Sequence, residues 1–147
     1  MTLTATAQVK HGGWAPRSLT RRLAGRVATE ERVDAETADR YVDAMLQFLD
    51  VCTRAERPLR PSPAIDAAWH AFILHTRAYA DYCEERFGRF IHHQPTAAGD
   101  GDPLAYARAR SLAAERFGAL DQLAWPELAA GADCRCEEGK CEGDPSG

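Results

Sequence analysis

Histidine and cysteine side chains, which bind metal ions or move protons, are concentrated in two stretches of the sequence. Residues 61–95 contain four of the five histidines, and residues 131–147 contain three of the five cysteines. Mixed imidazole and thiolate ligands favour zinc, with iron or copper as alternatives. The candidate metal ligands are His70, Cys83, His92, His93, Cys134, Cys136 and Cys141.

Asp66 and His70 form the first candidate pair. Residues four apart on a helix share a face. A carboxylate beside an imidazole fixes its tautomer and leaves the other ring nitrogen for a metal or a proton. The pair therefore predicts a metal ligand with its supporting acid, or the catalytic acid–base pair of an enzyme. The alternative is an acid that stabilises a helix beside a half-buried histidine.

Cys83, His92 and His93 form a second candidate group. Gly88 is a natural helix end, and five residues of returning chain span up to about 17 Å. Either histidine can therefore reach the Cys83 thiolate to bind a metal. In the alternative, Cys83 is a core residue and one of the two adjacent histidines faces solvent.

The C-terminal tail offers three thiols, Cys134, Cys136 and Cys141, within eight residues. Such a segment can wrap one tetrahedral ion, with a fourth ligand from His92, His93 or Cys83. That ligand would tie the polar tail to the body of the protein. The alternative is a flexible thiol tail for redox exchange or transient metal capture.

The distance between His70 and Cys83 decides whether there is one site or two. The two residues lie thirteen apart in sequence, about 20 Å along an unbroken helix. One ion can bind both only if the helix breaks at His75-Thr76. His75 itself lies off the face of His70 and could pair with Tyr79 one turn later, so we do not include it among the ligands.

Apolar residues recur at spacings of three and four in four main stretches, as expected for amphipathic helices. N-capping residues, prolines and glycines mark where these helices start and stop. We predict helices from about 16 to 28, from Asp34 to Arg57, from Ser62 to Gly88 and from Asp102 to Gly118. No segment alternates polar and apolar residues as a strand would.

These elements predict an all-α fold, a small single-domain bundle of four to six helices. Residues 1–15 are predicted to be a flexible arm, 16–130 the helical domain, and 131–147 a cysteine-rich acidic tail. Trp14 could still dock the arm on the domain. The tetrapeptide Glu85-Arg86-Phe87-Gly88 recurs as Glu115-Arg116-Phe117-Gly118. We interpret the repeat as two helices that end in the same way, with Phe packed against the core and Gly at the turn that follows.

Composition narrows the classes of partner. A net charge of −4 over 147 residues produces no field that attracts nucleic acid or an anionic membrane. The first residues lack the apolar segment of a signal peptide, and no stretch approaches a membrane span. We therefore expect a cytoplasmic protein with reduced thiols. Its partner would be another protein or a small molecule, not nucleic acid or a membrane.

One part of the sequence resembles a known family. The residues that carry the resemblance are Pro61-Ser62-Pro63, Asp66, Trp69-His70, Phe72-Ile73-Leu74, Thr76, Tyr79, Cys83, Phe87-Gly88, Phe90 and His92-His93. They resemble bacterial members of the glycine-rich domain-containing protein-like family. The resemblance implies a small helical domain and no particular activity. Plant relatives often have proline at the position of Thr76, which favours a helix joint there. They also tend to carry a second histidine where this chain has Phe72.

Two functional hypotheses follow from these residues. In the first, the chain is a small cytoplasmic metal-binding protein that acts as a binding or interaction module. In the second, it is an enzyme in which an open metal position works with Asp66 and His70 as acid–base pair. A metal-free form of the enzyme would use Cys83 as nucleophile and a neighbouring histidine as base.

Overall fold

Five helices build the part of the chain that the computed structural model describes, residues 14–94 and 101–127. They are α1 (Arg17–Glu31), α2 (Ala35–Cys52), α3 (Pro63–Leu74), α4 (Thr76–Phe87) and α5 (Ala105–Phe117). No strand occurs among these residues, and the helices share one core, so the predicted all-α single-domain fold is confirmed. None of the five helices is long and apolar enough to cross a membrane.

Helix α2 is the centre of the bundle, since α1, α3 and α5 all pack against it. Its stretch from Ala44 to Val51 is entirely buried. Phe48 is fully enclosed between Trp69 and Trp125, with ring centroids 5.5 Å and 6.4 Å away. Burial of one such side chain contributes about 1.5–3 kcal/mol. The aromatic layer therefore fixes α3, and with it the histidine-rich stretch, onto α2.

Capping residues and glycines mark four of the helix ends. The Asp34 carboxylate accepts from Thr37 N–H at 2.8 Å, and the Ser62 hydroxyl accepts from Ile65 N–H at 3.1 Å. Both caps are as predicted. Gly88 and Gly118 follow α4 and α5 with positive φ values of 73° and 84°, where a residue with a side chain is strained.

Three predicted ends differ from those observed. Helix α2 ends at Cys52, although we predicted that it continues to Arg57. Helix α1 continues to Glu31 and ends at Arg32, a left-handed residue with φ 58°. Helix α5 begins at Ala105, although we predicted a start at Asp102-Pro103. The Asp102 carboxylate accepts instead from Leu104 N–H at 2.9 Å and shapes the turn before the helix.

The helix joint at His75 and Thr76, which the sequence left as one of two alternatives, is present. Helix α3 ends at Leu74, α4 begins at Thr76, and His75 between them has the non-helical angles φ −91° and ψ 69°. Helices α3 and α4 contact each other on either side of this joint. The break allows residues 88–94, after α4, to return toward α3.

Candidate functional site

Helix α3 supplies the first two candidate residues of the histidine-rich stretch. Asp66 lies in its first turn, where the helix dipole favours an acid. His70 follows one turn later and is exposed. The two side chains share the helix face that the sequence predicted, yet the structure shows no hydrogen bond between them among the described contacts.

The imidazole that Asp66 binds belongs to His93, not to His70. His93 Nε2 lies 2.7 Å from Asp66 Oδ1, and the two residues are 27 apart in sequence. A carboxylate only accepts hydrogen bonds, so Nε2–H donates, and in the neutral imidazole Nδ1 then carries the lone pair. The hydrogen bond that we expected between Asp66 and His70 is therefore not formed, and an acid–base role of these two residues stays a prediction. Asp66 orients His93, which returns on the loop after α4.

A buried chain of hydrogen bonds holds that loop in place. Trp69 Nε1–H donates to the Tyr79 hydroxyl at 3.0 Å, and that hydroxyl donates to the Ile91 carbonyl at 2.5 Å. Burial raises the pKa of Tyr79, so its phenol stays protonated and able to donate. One tyrosine on α4 thus connects α3 to the loop that carries His93.

Aromatic side chains enclose one side of the Asp66–His93 pair. The His93 ring meets the Trp69 indole edge-on, with centroids 4.5 Å apart. Trp69 is itself only 6% exposed and packs on Phe48. The His93 side chain is 17% exposed and Asp66 is 51% exposed, so the pair is walled on its core side and open on the other.

His92, the neighbour of His93, has a different environment. It is exposed, and its ring packs against Phe90 at 4.8 Å. His92 is thus the one of the two adjacent histidines that faces solvent, as the alternative had it. His93 is the histidine that the structure brings to Asp66.

The two cysteines among the described residues belong to the core. Cys83 is fully buried, and Cys52 is half-buried at the end of α2. Burial raises the pKa of the Cys52 thiol to about 12. The Cys52 thiol therefore stays protonated at neutral pH, and both cysteines pack as small apolar side chains.

His75 stabilises the helix joint. Its Nδ1 donates to the Ala71 carbonyl at 3.1 Å, one turn back on α3. The pairing with Tyr79 that we considered from the sequence is not formed, since the Tyr79 hydroxyl is engaged by Trp69 and Ile91.

Within residues 14–94 and 101–127, no three His, Cys, Asp or Glu side chains converge in a way that could hold a metal ion. The predicted tail ligands Cys134, Cys136 and Cys141 lie outside the described residues. The structure thus brings together Asp66 and His93, leaves His70 one turn away, and encloses Cys83 in the core.

A second polar site was missed by reasoning from the sequence. Asp50, buried on α2, forms ion pairs with Arg54, Arg86 and Arg116. The signal for it was the repeated Glu-Arg-Phe-Gly segment, because the arginine of each copy reaches this one carboxylate. We had assigned a role only to its Phe and Gly residues.

Comparison with known proteins identifies a family. The sequence model described as UCP032817-like matches residues 12–104, which is more than half of the chain. The chain therefore belongs to the UCP032817-like family. No curated protein and no solved structure matches it.

Proposed function

We propose that this member of the UCP032817-like family is a small cytoplasmic metal-binding protein that acts as a binding or interaction module. Zinc is the favoured ion, with iron or copper as alternatives, and the partner is a protein or a small molecule. We also propose kinship with bacterial members of the glycine-rich domain-containing protein-like family. The observation that supports metal binding is the 2.7 Å contact between Asp66 and His93.

That contact prepares His93 as a ligand. A metal-binding histidine commonly donates its other ring N–H to a carboxylate, which sets the tautomer and makes the ligating nitrogen more basic. Asp66 receives the Nε2–H of His93, so Nδ1 is the nitrogen left to bind. The Trp69 indole fixes the plane of the ring. The ring is therefore oriented before any ion arrives.

The remaining ligands in this proposal come from the tail. A structural zinc site needs four protein ligands, and the thiols of Cys134, Cys136 and Cys141 with His93 would complete one. The exposed His70 or His92 could take the place of one thiol. Cys83 is not in this set, because an ion beside it would have to enter the apolar core. A site with all four positions filled favours an interaction module over a catalyst.

Elemental analysis of the full chain, purified without a polyhistidine tag, tests the proposal. We expect one zinc per chain, and a loss of zinc affinity of tenfold or more in His93→Ala and in Cys136→Ala. His11→Ala, which removes a histidine outside the histidine-rich stretch, is the matched control and should keep its zinc. Absence of stoichiometric metal in the unmutated chain would contradict the proposal, as would an unchanged zinc affinity of His93→Ala in competition with a chelator.

The same contact supports a second candidate, an enzyme that uses Asp66 and His93 as its acid–base pair. An imidazole oriented by a carboxylate is a common general base. In this case one metal position would stay open for water or substrate. The spectrum of the cobalt-substituted chain separates the two candidates. A four-coordinate spectrum that does not change with added anions supports the closed module, and a spectrum that changes on addition of azide supports the enzyme.

A further inference from the structure

Asp50 is the centre of an arginine cluster at one end of α2. Its side chain is 3% exposed, and its carboxylate contacts Arg54 Nε at 3.1 Å and Arg86 at 3.5 Å. Arg116 Nε also donates to the same carboxylate. Asp50 lies on α2, Arg86 on α4 and Arg116 on α5, whereas Arg54 lies in the turn after α2, so the cluster joins three helices.

This cluster contains more hydrogen-bond donors than Asp50 can accept. A guanidinium has five N–H donors, whereas a carboxylate offers about four acceptor positions. Arg86 Nε is buried and has no hydrogen-bond partner among the described residues, and the same holds for the Tyr82 hydroxyl. Buried donors without acceptors are costly. The arrangement therefore lacks negative charge and acceptor atoms, not positive charge.

A pocket of about 500 Å³ opens on the cluster. Its lining includes Asp50 and four arginines, which are Arg54, Arg86, Arg89 and Arg116. Arg89 forms no hydrogen bond or ion pair with the residues that the structure describes, so its charge is not neutralised there. Four positive charges against one negative charge would attract an anion. The volume lies within the range of pockets that hold small molecules, roughly 300–1,000 Å³.

Aromatic side chains hold two of the guanidinium groups in position. The Arg86 guanidinium stacks on the Trp14 ring at 4.0 Å, and Arg116 lies over Phe117 at 5.4 Å. Trp14 and Phe117 contact each other, with centroids 5.5 Å apart. Such stacking limits the freedom of the long side chains. The donors are therefore oriented in advance of a ligand.

We propose that this pocket binds the phosphoryl group of a small phosphorylated molecule. Arginine presents its N–H groups as a planar fork that matches phosphate oxygens in pairs. A phosphoryl group carries nearly two negative charges at neutral pH, which balances most of the excess in the pocket. Its three oxygens supply the acceptors that Asp50 cannot provide.

Calorimetric titration of the full chain at constant ionic strength tests this proposal, with pyrophosphate as the probe and citrate as a carboxylate of similar charge. We expect one pyrophosphate per chain, bound more tightly than citrate. Arg89→Gln should weaken binding by about tenfold or more, because a charge-assisted hydrogen bond is lost. This variant should fold normally, since Arg89 is exposed and not tied to Asp50. Thermal unfolding without ligand checks its fold.

Arg77→Gln is the matched control, because Arg77 is an exposed arginine on α4 that does not line the pocket. Its affinity for pyrophosphate should equal that of the unmutated chain. Three results would each overturn the proposal: no pyrophosphate binding at millimolar concentration, tighter binding of citrate, or equal weakening by Arg77→Gln and Arg89→Gln. The last result would show only a general attraction between charges.

Discussion

Asp66 and Asp50 are both paired carboxylates, but they differ in burial and in partner. Asp66 is 51% exposed and binds one imidazole on a returning loop. Asp50 is 3% exposed and is surrounded by three guanidinium groups, from α4, from α5 and from the turn after α2. The first arrangement orients the His93 imidazole and contributes little to stability, because half of the Asp66 side chain is in water. The second is part of the structural core and leaves an excess of positive charge beside it.

Helix α4 takes part in both regions. Tyr79, in its first half, fixes the loop of His93, and Arg86, near its end, reaches Asp50. The two regions therefore share a scaffold while presenting opposite chemistry. In our proposals, the first region binds a cation through an imidazole nitrogen, and the second binds an anion through N–H donors.

The largest expected effect is the loss of stability on removing the Asp50 carboxylate. Asp50→Ala would leave three partly exposed guanidinium groups without their shared carboxylate, so the free energy of unfolding should fall by about 3 kcal/mol, the lower end of the range for breaking a buried ion pair. Urea unfolding measures this. Asp39→Ala, at an exposed position of the same helix, should change the free energy by less than about 0.5 kcal/mol. Equal effects of the two substitutions would show that Asp50 is not a structural centre.

Two tyrosines on α4 give the next comparison. Tyr79→Phe leaves the Trp69 N–H and the Ile91 carbonyl without their buried partner, and should cost about 1–3 kcal/mol. Tyr82→Phe removes a buried hydroxyl that has no hydrogen-bond partner in the described region. It should therefore be nearly neutral. Urea unfolding of both variants measures the difference, and a larger cost for Tyr82→Phe would contradict the assignment.

Alkaline pH should lower the stability of the fold through the phenols of Tyr79 and Tyr82 and the thiol of Cys52. Burial raises the pKa of Tyr79 and of Tyr82 above the ordinary value, and raises that of Cys52 to about 12. Unfolded chains lose these protons first, at about pH 9 for Cys and 10 for Tyr. Stability is therefore complete below pH 9 and should fall as pH rises, by up to about 1.4 kcal/mol per pH unit for each group.

Urea unfolding at pH 8, 9, 10 and 11 checks the alkaline prediction. Tyr79→Phe and Tyr82→Phe should each show a smaller decline between pH 10 and 11 than the unmutated chain, because one titrating group is gone. An unchanged decline in both variants would show that the phenols do not contribute to it.

The smallest expected effect on stability comes from removing the charge of Asp66. Asp66→Asn should lower the free energy of unfolding by less than about 1 kcal/mol, because half of the Asp66 side chain is in water. If the proposed site exists, the same substitution should weaken zinc binding by about tenfold, since His93 loses its orienting acid. A zinc affinity in Asp66→Asn equal to that of the unmutated chain would separate Asp66 from the metal.

Local signals in the sequence were sufficient for much of the fold. Asp34 and Ser62 cap their helices, Gly88 and Gly118 follow them, and the apolar spacing places α2 in the core. These features depend on residues within one or two turns of each other. The start of α5 was predicted three residues early because Asp102 forms a turn of its own.

The partners of the two carboxylates could not be predicted in the same way. Helix spacing predicted His70 as the partner of Asp66. The observed partner, His93, comes from a loop whose path depends on Tyr79 and on the break at His75. Similarly, Arg116 lies 66 residues from Asp50. Contacts of this kind arise from tertiary packing, which local spacing does not specify. The repeated Glu-Arg-Phe-Gly segment was the one visible trace of the second site.

We propose that the Asp66–His93 pair and the Asp50 cluster bind ligands of opposite charge independently of each other. Separate calorimetric titrations of zinc and of pyrophosphate into the unmutated chain, His93→Ala and Arg89→Gln test it directly. We predict that His93→Ala loses at least tenfold in zinc affinity and keeps its pyrophosphate affinity, while Arg89→Gln shows the reverse. An unmutated chain that binds neither zinc nor pyrophosphate would contradict this proposal. So would variants that each lose affinity for both ligands to the same extent.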